Sequence, residues 1–553
     1  MKKTWWKEGV VYQIYPRSFK DSTGNGIGDI YGIIDKLDYI KSLGIDIIWL
    51  CPIYESPNDD NGYDISDYKA ISEDFGGSEA FDKLLDGMHK RGLKLVMDLV
   101  LNHSSDEHDW FKESRKSKDN PYRDYYFWKP SKNDNPPNNW VSFFSGSAWK
   151  RDAITDEYFL HLFTKKQPDL NWENPKVRKE IHNIVEYWCK KGVDGFRMDV
   201  ISLISKNLDF PDSPYPDDYG KTIKNYYANG SKIHQYLHQL NREVLSRYDI
   251  MTVGEGPGID LDNGLDYVNE DRNELNMIFH FDHMFIDNGP GGKYDPIDVS
   301  LPKFKKVFSD WDKKLKDKGW GSIFLGNHDF SRMVSRFGND STYHTESAKL
   351  LAMLLLTLRG TVYIYQGDEI GMTNVAYPKI EDYNDVETLG SWNEALAKGE
   401  DMTEFLKLVH RQSRDNARTP VQWNSTKNGG FSLGNPWLKV NENYSSINVE
   451  AQENDKNSIL NFYRKMIAFR KANKVMVYGD YECINPEDTN LFIYKRSNEK
   501  ESYLIILNFS NTIQTVDHLN LDIEHSKLVI SNIETLNPKN ELRPWEAQLR
   551  QYN

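Results

Sequence analysis

The chain has 553 residues, which is too long for one compact hydrophobic core, so two or three domains are expected. Hydrophobic residues make up 39% of the chain, which is ordinary for a globular protein. The formal net charge of −14 argues against nucleic acid and anionic membrane surfaces as partners, because both are bound through basic patches.

The cysteines and the first residues indicate a compartment. Cys51, Cys189 and Cys483 are odd in number and have no metal-ligand spacing, which favours a reducing environment. No apolar segment follows the first lysines, so no secretory signal is expected, and the apolar run 350–365 is interrupted by Arg359 and Gly360. These features predict a cytoplasmic protein without a membrane span. A monomer or weak oligomer is expected.

Apolar strand-like runs alternate with amphipathic helix-like segments along most of the chain. Helices are predicted at 30–43, 78–91 and 177–191. Eight strands with intervening helices is the count of an α/β protein with a (β/α)₈ TIM barrel. A doubly wound sheet is the alternative, but it usually needs a phosphate-binding glycine turn, and no convincing one is present. The predicted strands are 10–15, 45–50, 93–101, 195–199, 250–254, 277–281, 322–325 and 362–366.

Two regions depart from this alternation. Residues 104–172 are rich in Asn, Pro, Asp and Trp and lack helical periodicity, so we expect an inserted lid subdomain after the third strand. After residue 476, short alternating runs at 491–494, 502–507 and 528–531 predict an antiparallel β-sandwich domain. The predicted domains are a catalytic barrel made of 1–103 and 173–476, an insertion at 104–172, and a C-terminal domain at 477–553.

Four apolar runs, 98–103, 195–200, 252–256 and 324–329, end in a carboxylate or an imidazole. Charged residues at the carboxyl ends of parallel barrel strands meet at one mouth, where such barrels place their chemistry. One acid at a strand end is usually a cap or an ion-pair partner. Three acids at the ends of strands four, five and seven favour one site instead. These acids are Asp199, Glu255 and Asp329.

The neighbours of these acids predict different roles. Arg197 lies two residues before Asp199 on the same strand face, so a permanent cation should keep Asp199 ionised, as a nucleophile requires. Glu255 has no adjacent cation, and an apolar setting raises the pKa of a carboxyl group, which suits a general acid. This division of roles is typical of glycoside hydrolysis, with the carboxyl groups about 5–5.5 Å apart in a retaining enzyme. Asp329 would stabilise positive charge in the transition state.

Two histidines, His103 and His328, each follow an asparagine at a strand end. A single histidine in such a place is more often structural, but two that face three acids suggest neutral donors to sugar hydroxyls. A zinc site is the alternative, although no His-Glu-x-x-His or similar pair of ligands lies near them.

These motifs resemble the conserved regions of the α-amylase superfamily of glycoside hydrolases, family thirteen. The resemblance runs from Trp5 to the end of the chain and implies the barrel fold. It also includes sequences typical of the oligo-1,6-glucosidase subgroup. The matching motifs are Asp98-x-x-x-Asn-His103, Gly195-Phe-Arg-x-Asp199, Glu255, Asn327-His-Asp329, Gln167-Pro-Asp-Leu-Asn171, the stretch 56–64 and the stretch 413–423.

The resemblance implies that Asp199 is the nucleophile, Glu255 the acid/base and Asp329 the transition-state stabiliser. Asp60 and Arg414 would form a polar end wall that grips the terminal glucose and makes the enzyme exo-acting. For Arg414 a salt-bridged helix end is the alternative. The glucose pocket carried over from the family comprises Asp60, Tyr63, His103, Phe163, Gln167, Arg197, His328 and Arg414.

The residue after the nucleophile bears on the linkage that is cleaved. The subgroup places Val there when it cleaves α-1,6 bonds, and this chain has Val200. The expected activity is therefore hydrolysis of isomaltose-like and other short α-glucosides. Sucrose- or trehalulose-hydrolysing and transglucosylating relatives share the mechanism and remain alternatives, as does a noncatalytic binding protein on the same fold. Gly256 and Phe330 depart from the usual pattern near the leaving-group subsite.

The loop 21–29 places oxygen donors at alternate positions, as Ca²⁺ prefers. Relatives bind Ca²⁺ through the matching loop, although usually with Asp at the position of Asn25. No cofactor is expected to be required, and the alternatives at this loop are a structural Ca²⁺ and an ordinary Asp/Gly turn. The candidate ligands are Asp21, Thr23, Asn25, Ile27 and Asp29.

Overall fold

The computed structural model describes residues 3–215, 218–519, 521, 523, 525–534 and 540–552. Residues at both ends of the chain and in the predicted barrel and C-terminal domains lie outside this described part. The contacts within the chain divide it into two compact units. The domain boundaries at residues 103, 172 and 476 stay a prediction. The first unit comprises residues 1–48, 282–383 and 403–553, and the second unit comprises residues 49–281 and 384–402.

The fold belongs to the predicted (β/α)₈ barrel class, with an antiparallel C-terminal sheet. Eight strands, labelled β1–β8 here, form one sheet in the order β6-β5-β4-β3-β2-β1-β8-β7. Each lies within three residues of its predicted bounds, because buried apolar runs mark parallel strands clearly. The strands are Val10–Ile14, Ile47–Leu50, Lys94–Val100, Gly195–Asp199, Met251–Glu255, Met277–Phe279, Ser322–Ile323 and Thr361–Tyr365.

In the second unit, β3, β4, β5 and β6 pair in parallel. Every residue of β4 and β5 is buried, and these strands end at Asp199 and Glu255. Gly195 begins β4 where a Cβ atom would lie 2.4 Å from the carbonyl oxygen of Met251, so only glycine permits this close strand approach. Close pairing of β4 with β5 brings the ends of both strands together.

In the first unit, β1 pairs with β8 and β8 pairs with β7, both in parallel. The C-terminal part of this unit carries a five-stranded sheet in which all paired strands are antiparallel. This sheet contains the runs that the sequence predicted near residues 491, 502 and 528. In spatial order its strands are Asp480–Ile484, Leu491–Ser497, Ser502–Asn508, Ala547–Tyr552 and Ser526–Ser531.

Helices occupy the segments between most barrel strands. The predicted helix at 30–43 is wrong as one element, because Lys36 leaves the helical region with φ −107° and ψ 5°. Its ammonium group lies 4.3 Å from the centre of the Trp423 ring. The helices that follow β1 are therefore Ile30–Asp35 and Leu37–Ser42; the longer helices are Gly77–Lys90, Pro175–Lys191, Ile233–Glu243, Leu301–Leu315, His344–Thr357, Val386–Lys398, Met402–Gln412 and Ile459–Ala472.

The segment 104–172 forms part of the second unit. It contains the short helix Asp109–Ser114 and a three-stranded antiparallel sheet of Trp128–Pro130, Trp149–Arg151 and Glu157–Leu160. Aromatic residues rather than a periodic helix build its core, which explains why the sequence shows no helical pattern there. Within the described part of the chain, no helix is long and apolar enough to cross a membrane.

Candidate active site

Arg197 is the centre of a cluster of charged groups in the second unit. Its Nη1 lies 2.7 Å from Asp199 Oδ1 and 2.8 Å from Asp98 Oδ1, and its Nη2 lies 2.7 Å from Glu255 Oε2. The strand register explains this arrangement, because Arg197 on β4 is paired with Asp98 on β3 and with Val253 on β5. The structure therefore brings Asp199 and Glu255 together through one buried guanidinium group.

The electrostatics of this cluster differ from the expectation for Asp199. Its contact with Arg197 is confirmed, but burial raises the pKa of Asp199 well above its usual value, and the charges of Glu255 and Asp98 add to that increase. Burial likewise raises the pKa of Asp98 to about 6, while Arg197 opposes the shift. The guanidinium is shared by three carboxyl groups, so it does not by itself keep Asp199 ionised.

The expectation that Glu255 lies away from any cation is wrong. Arg197 reaches it from the neighbouring strand, and the backbone N–H of Val200 donates to the same oxygen, Oε2, at 3.0 Å. Arg197 and Glu255 are far apart in sequence, so their ion pair depends on β4 and β5 being adjacent.

The polar residues predicted for the glucose pocket in the second unit lie close to one another. The Tyr63 hydroxyl donates to Asp98 Oδ2 at 3.1 Å. Gln167 Nε2 donates to Asp60 Oδ2 at 3.2 Å and also lies 3.2 Å from His103 Nε2. Burial lowers the pKa of His103 to about 4, so its ring is neutral at pH 7, as expected for a donor to sugar hydroxyls.

An aromatic and aliphatic wall accompanies these polar groups. Phe163 packs on His103 with ring centres 4.9 Å apart, and Phe163 and Val200 belong to the same buried apolar cluster. Phe143 stacks on Phe163 at 4.8 Å and contacts Tyr219. The sequence patterns do not indicate Phe143 or Tyr219, because neither lies in a motif or in a periodic segment. Phe143 belongs to the aromatic-rich insertion, whereas Tyr219 lies outside it.

A second cluster surrounds Asp329 in the first unit. Arg418 Nη2 and Arg414 Nη1 donate to Asp329 Oδ1 at 2.9 and 3.2 Å, and His328 Nε2 lies 3.1 Å from Oδ2. Gln13 Nε2 donates to His328 Nδ1 at 2.8 Å, which leaves the His328 proton on Nε2, facing Asp329. Arg414 is therefore an ion-pair partner of Asp329, a candidate catalytic acid, and its role in binding glucose stays a prediction.

The loop 21–29 is ordered by its own hydrogen bonds in the first unit. Asp21 accepts from the N–H groups of Thr23, Gly24 and Gly26 and from the hydroxyl groups of Thr23 and Ser432. Burial raises the pKa of Asp21, but these donors together lower it below its usual value.

These five donors use the acceptor capacity of the Asp21 carboxylate. Asp29 is also engaged, since it accepts from Ser22 and caps the following helix through the N–H of Gly32. Among the described residues, no group of three or more acidic, histidine or cysteine side chains could hold a metal ion. In this arrangement the loop forms an Asp/Gly turn, and binding of Ca²⁺ by the loop stays a prediction.

Comparison with known proteins identifies the family. The family model for the α-amylase catalytic domain matches residues 13–479. The chain is 54% identical to an oligo-1,6-glucosidase of Parageobacillus thermoglucosidasius and 52% identical to one of Bacillus cereus, each alignment covering 99% of both chains. The chain therefore belongs to the α-amylase family of glycoside hydrolases and is an enzyme of that class.

Solved structures of related enzymes have the same fold. An isomaltulose synthase from a Klebsiella species is 44% identical, with a TM-score of 0.96 over 100% of both chains. A trehalose-6-phosphate hydrolase from Bacillus licheniformis is 45% identical, with a TM-score of 0.94 over 99% of this chain and 100% of that one. The same fold thus carries several reactions on glucosides, and the substrate is decided within the site.

Proposed function

We propose that this protein is an exo-acting, retaining α-glucosidase that hydrolyses terminal α-1,6 linkages of isomaltose-like and other short α-glucosides. The observation that carries the proposal is the pair of carboxyl groups, Asp199 and Glu255, held by one guanidinium at the ends of adjacent strands. Full-length relatives named oligo-1,6-glucosidase support the linkage, and so does Val200.

In the proposed mechanism Asp199 is the nucleophile and attacks in its carboxylate form. Arg197 holds its Oδ1, and among the described residues Oδ2 accepts no hydrogen bond, so Oδ2 is the oxygen that attacks the anomeric carbon. The bond between that carbon and the glycosidic oxygen breaks as Glu255 donates its proton to the leaving oxygen. Glu255 then takes a proton from water, which attacks the glucosyl-enzyme ester and releases glucose with retention of configuration.

The remaining polar residues bind the sugar and stabilise the charge that develops on it. The anionic Asp329, held by Arg414 and His328, would stabilise an oxocarbenium-like transition state. His103, Gln167, Tyr63 and Asp60 would bind hydroxyl groups of the terminal glucose. We further propose that the enzyme is exo-acting and releases one glucose at a time.

The proposal includes the expected setting of the enzyme. We propose a cytoplasmic protein that acts on free disaccharides or oligosaccharides as a monomer or weak oligomer. No metal or cofactor takes part in the proposed steps. Sucrose- or trehalulose-hydrolysing activity is the second candidate, because the solved relatives include an isomaltulose synthase and another relative was solved in complex with sucrose.

The test is a comparison of kcat/KM for isomaltose, maltose, sucrose and trehalulose, with the products identified. We expect isomaltose to give the highest value, and we expect the glucose released from the glucosyl-enzyme to be the α-anomer before it mutarotates. A clear preference for maltose would contradict the α-1,6 assignment but leave the mechanism standing. A preference for sucrose or trehalulose would favour the second candidate.

A further inference from the structure

Val200, the residue directly after Asp199, has an unusual backbone conformation. Its φ of 35° and ψ of 41° lie in the left-handed region. Among the non-glycine residues with positive φ in the described chain, most are Asn or Asp, and Val200 is the one β-branched residue. A β-branched side chain is strained in this region, and such strain persists only where surrounding structure imposes it.

The surrounding contacts hold this turn against β5. The Ser202 hydroxyl donates to the carbonyl of Pro257 at 2.7 Å, just beyond Glu255. Ile201 packs so closely on Gly254 that a Cβ atom there would lie 2.7 Å from the Ile201 side chain. The Val200 side chain itself is buried in the apolar cluster that includes Phe163. Packing on both sides therefore stabilises the strained residue.

The result of this turn is a hydrogen bond to Glu255. The Val200 N–H and Arg197 Nη2 both bind Glu255 Oε2, at 3.0 and 2.7 Å. No other hydrogen bond to the Glu255 carboxyl group occurs among the residues that the structure describes. The two oxygens of Glu255 therefore differ among the described residues: Oε2 accepts a hydrogen bond from the Val200 N–H and forms an ion pair with Arg197, whereas Oε1 has neither contact.

We infer that Val200 is a positioning residue whose left-handed backbone directs its N–H to Oε2 of Glu255, so that Oε1 carries the proton given to the leaving group. This inference rests on the proposed function, in which Glu255 is the acid/base. As the glycosidic bond breaks, the proton passes from Oε1 to the glycosidic oxygen and the carboxylate becomes charged. The Val200 N–H and the positive charge of Arg197 at Oε2 stabilise that developing charge, so they act more strongly in the transition state than in the ground state.

The direct test removes only the N–H. Val200 is replaced by its α-hydroxy acid analogue, which keeps the side chain and converts the amide into an ester. Two substrates are compared: isomaltose, whose leaving group needs a proton, and α-glucosyl fluoride, whose leaving group does not. We expect kcat for isomaltose to fall about 10- to 100-fold at similar KM, as for loss of a hydrogen bond to a charged group, and kcat for the fluoride to change less than about threefold.

The matched control is Val200→Gly, which keeps the N–H and removes the β-branched side chain. We expect the ratio of the two kcat values to change less in this variant than in the ester protein, because the N–H remains and only the side chain is lost. An equal loss on both substrates in the ester protein, or no loss on isomaltose, would overturn the inference. A change of the ratio in Val200→Gly as large as in the ester protein would assign the effect to the side chain and overturn it too.

Two further variants keep the test decisive. Ser202→Ala removes the hydrogen bond to Pro257 and so loosens the same turn. We expect the ratio of kcat for isomaltose to kcat for the fluoride to fall, but less than in the ester protein. If the ester protein does not fold, an unchanged ratio in Ser202→Ala overturns the inference. Glu255→Gln separates the two proposals. If it hydrolyses isomaltose normally, the proposed function fails. If it is deficient on isomaltose but active on the fluoride while the ester protein is normal on both, only the inference about Val200 fails.

Discussion

Arg197 determines the electrostatics around the candidate nucleophile, because a single guanidinium group contacts Asp98, Asp199 and Glu255. If all three acids were ionised, the cluster would carry two excess negative charges in a buried site. Burial and mutual repulsion raise the pKa values of Asp98 and Asp199, so the cluster retains protons that exposed acids would lose. Asp199 must therefore give up its proton before its carboxylate can attack the anomeric carbon.

At this scale the prediction concerns Asp199→Ala. We expect turnover of isomaltose to fall by about 10⁴-fold or more, since the covalent intermediate cannot form. The fold should persist, because the substitution removes one of three carboxyl groups that compete for Arg197. Steady-state kinetics and a thermal melt check both parts. Near-normal activity of this variant would refute the proposed mechanism.

Lys206 connects three elements of the second unit. Its buried ammonium group lies 2.9 Å from Asp169 Oδ2, 3.1 Å from Asn102 Oδ1 and 2.7 Å from the carbonyl oxygen of Leu203. Asn102 follows β3, Asp169 lies near the end of the segment 104–172, and Leu203 lies in the turn after β4. One cation therefore ties this segment to two strand ends of the same unit.

Lys206→Met should destabilise the protein. The substitution leaves Asp169 buried without its cation, which costs about 3–5 kcal/mol in the free energy of unfolding. Urea titration measures the change. Lys83→Met is the control: it breaks an exposed pair with Glu79 and should change stability much less than Lys206→Met does. A similar small effect at both positions would show that the buried pair does not stabilise these elements.

For the whole molecule, three buried histidines predict how stability depends on pH. Burial lowers the pKa of His103 and His108 to about 4 and that of His283 to about 3. The unfolded chain binds protons at these positions first as pH falls. Their contribution to stability is therefore complete above about pH 6.5 and is lost as the pH falls toward 4.

Asp368 has the opposite pH dependence. Burial raises its pKa to about 7, so its contribution to stability is lost as the pH rises through 7.

His283→Gln tests the pH dependence predicted for the buried histidines. The His283 ring donates to the carbonyl oxygen of Phe324 at 2.8 Å, and a glutamine amide can replace that donor without titrating. Between pH 7 and pH 5, we expect the variant to lose about 2 kcal/mol less stability than the unaltered protein. Denaturant titrations at the two pH values provide the comparison. An identical loss in both proteins would mean that His283 does not contribute to acid sensitivity.

The sequence by itself determined where the barrel strands end and which acids lie at those ends. Buried parallel strands are continuous apolar runs, and a charged residue can follow such a run only where burial ends. The positions of Asp199 and Glu255 at the ends of β4 and β5 were predictable in this way. The resemblance to the family added the candidate pocket residues.

The tertiary structure alone decided how these residues are paired. Sequence neighbours place Arg197 beside Asp199, but only the register of β4 and β5 brings Arg197 to Glu255. The five donors on Asp21 include Ser432, which comes from a distant part of the chain. The left-handed turn at Val200 depends on packing against Gly254. Periodicity and charge in a sequence report burial and strand ends, whereas hydrogen-bond partners depend on which distant segments lie side by side.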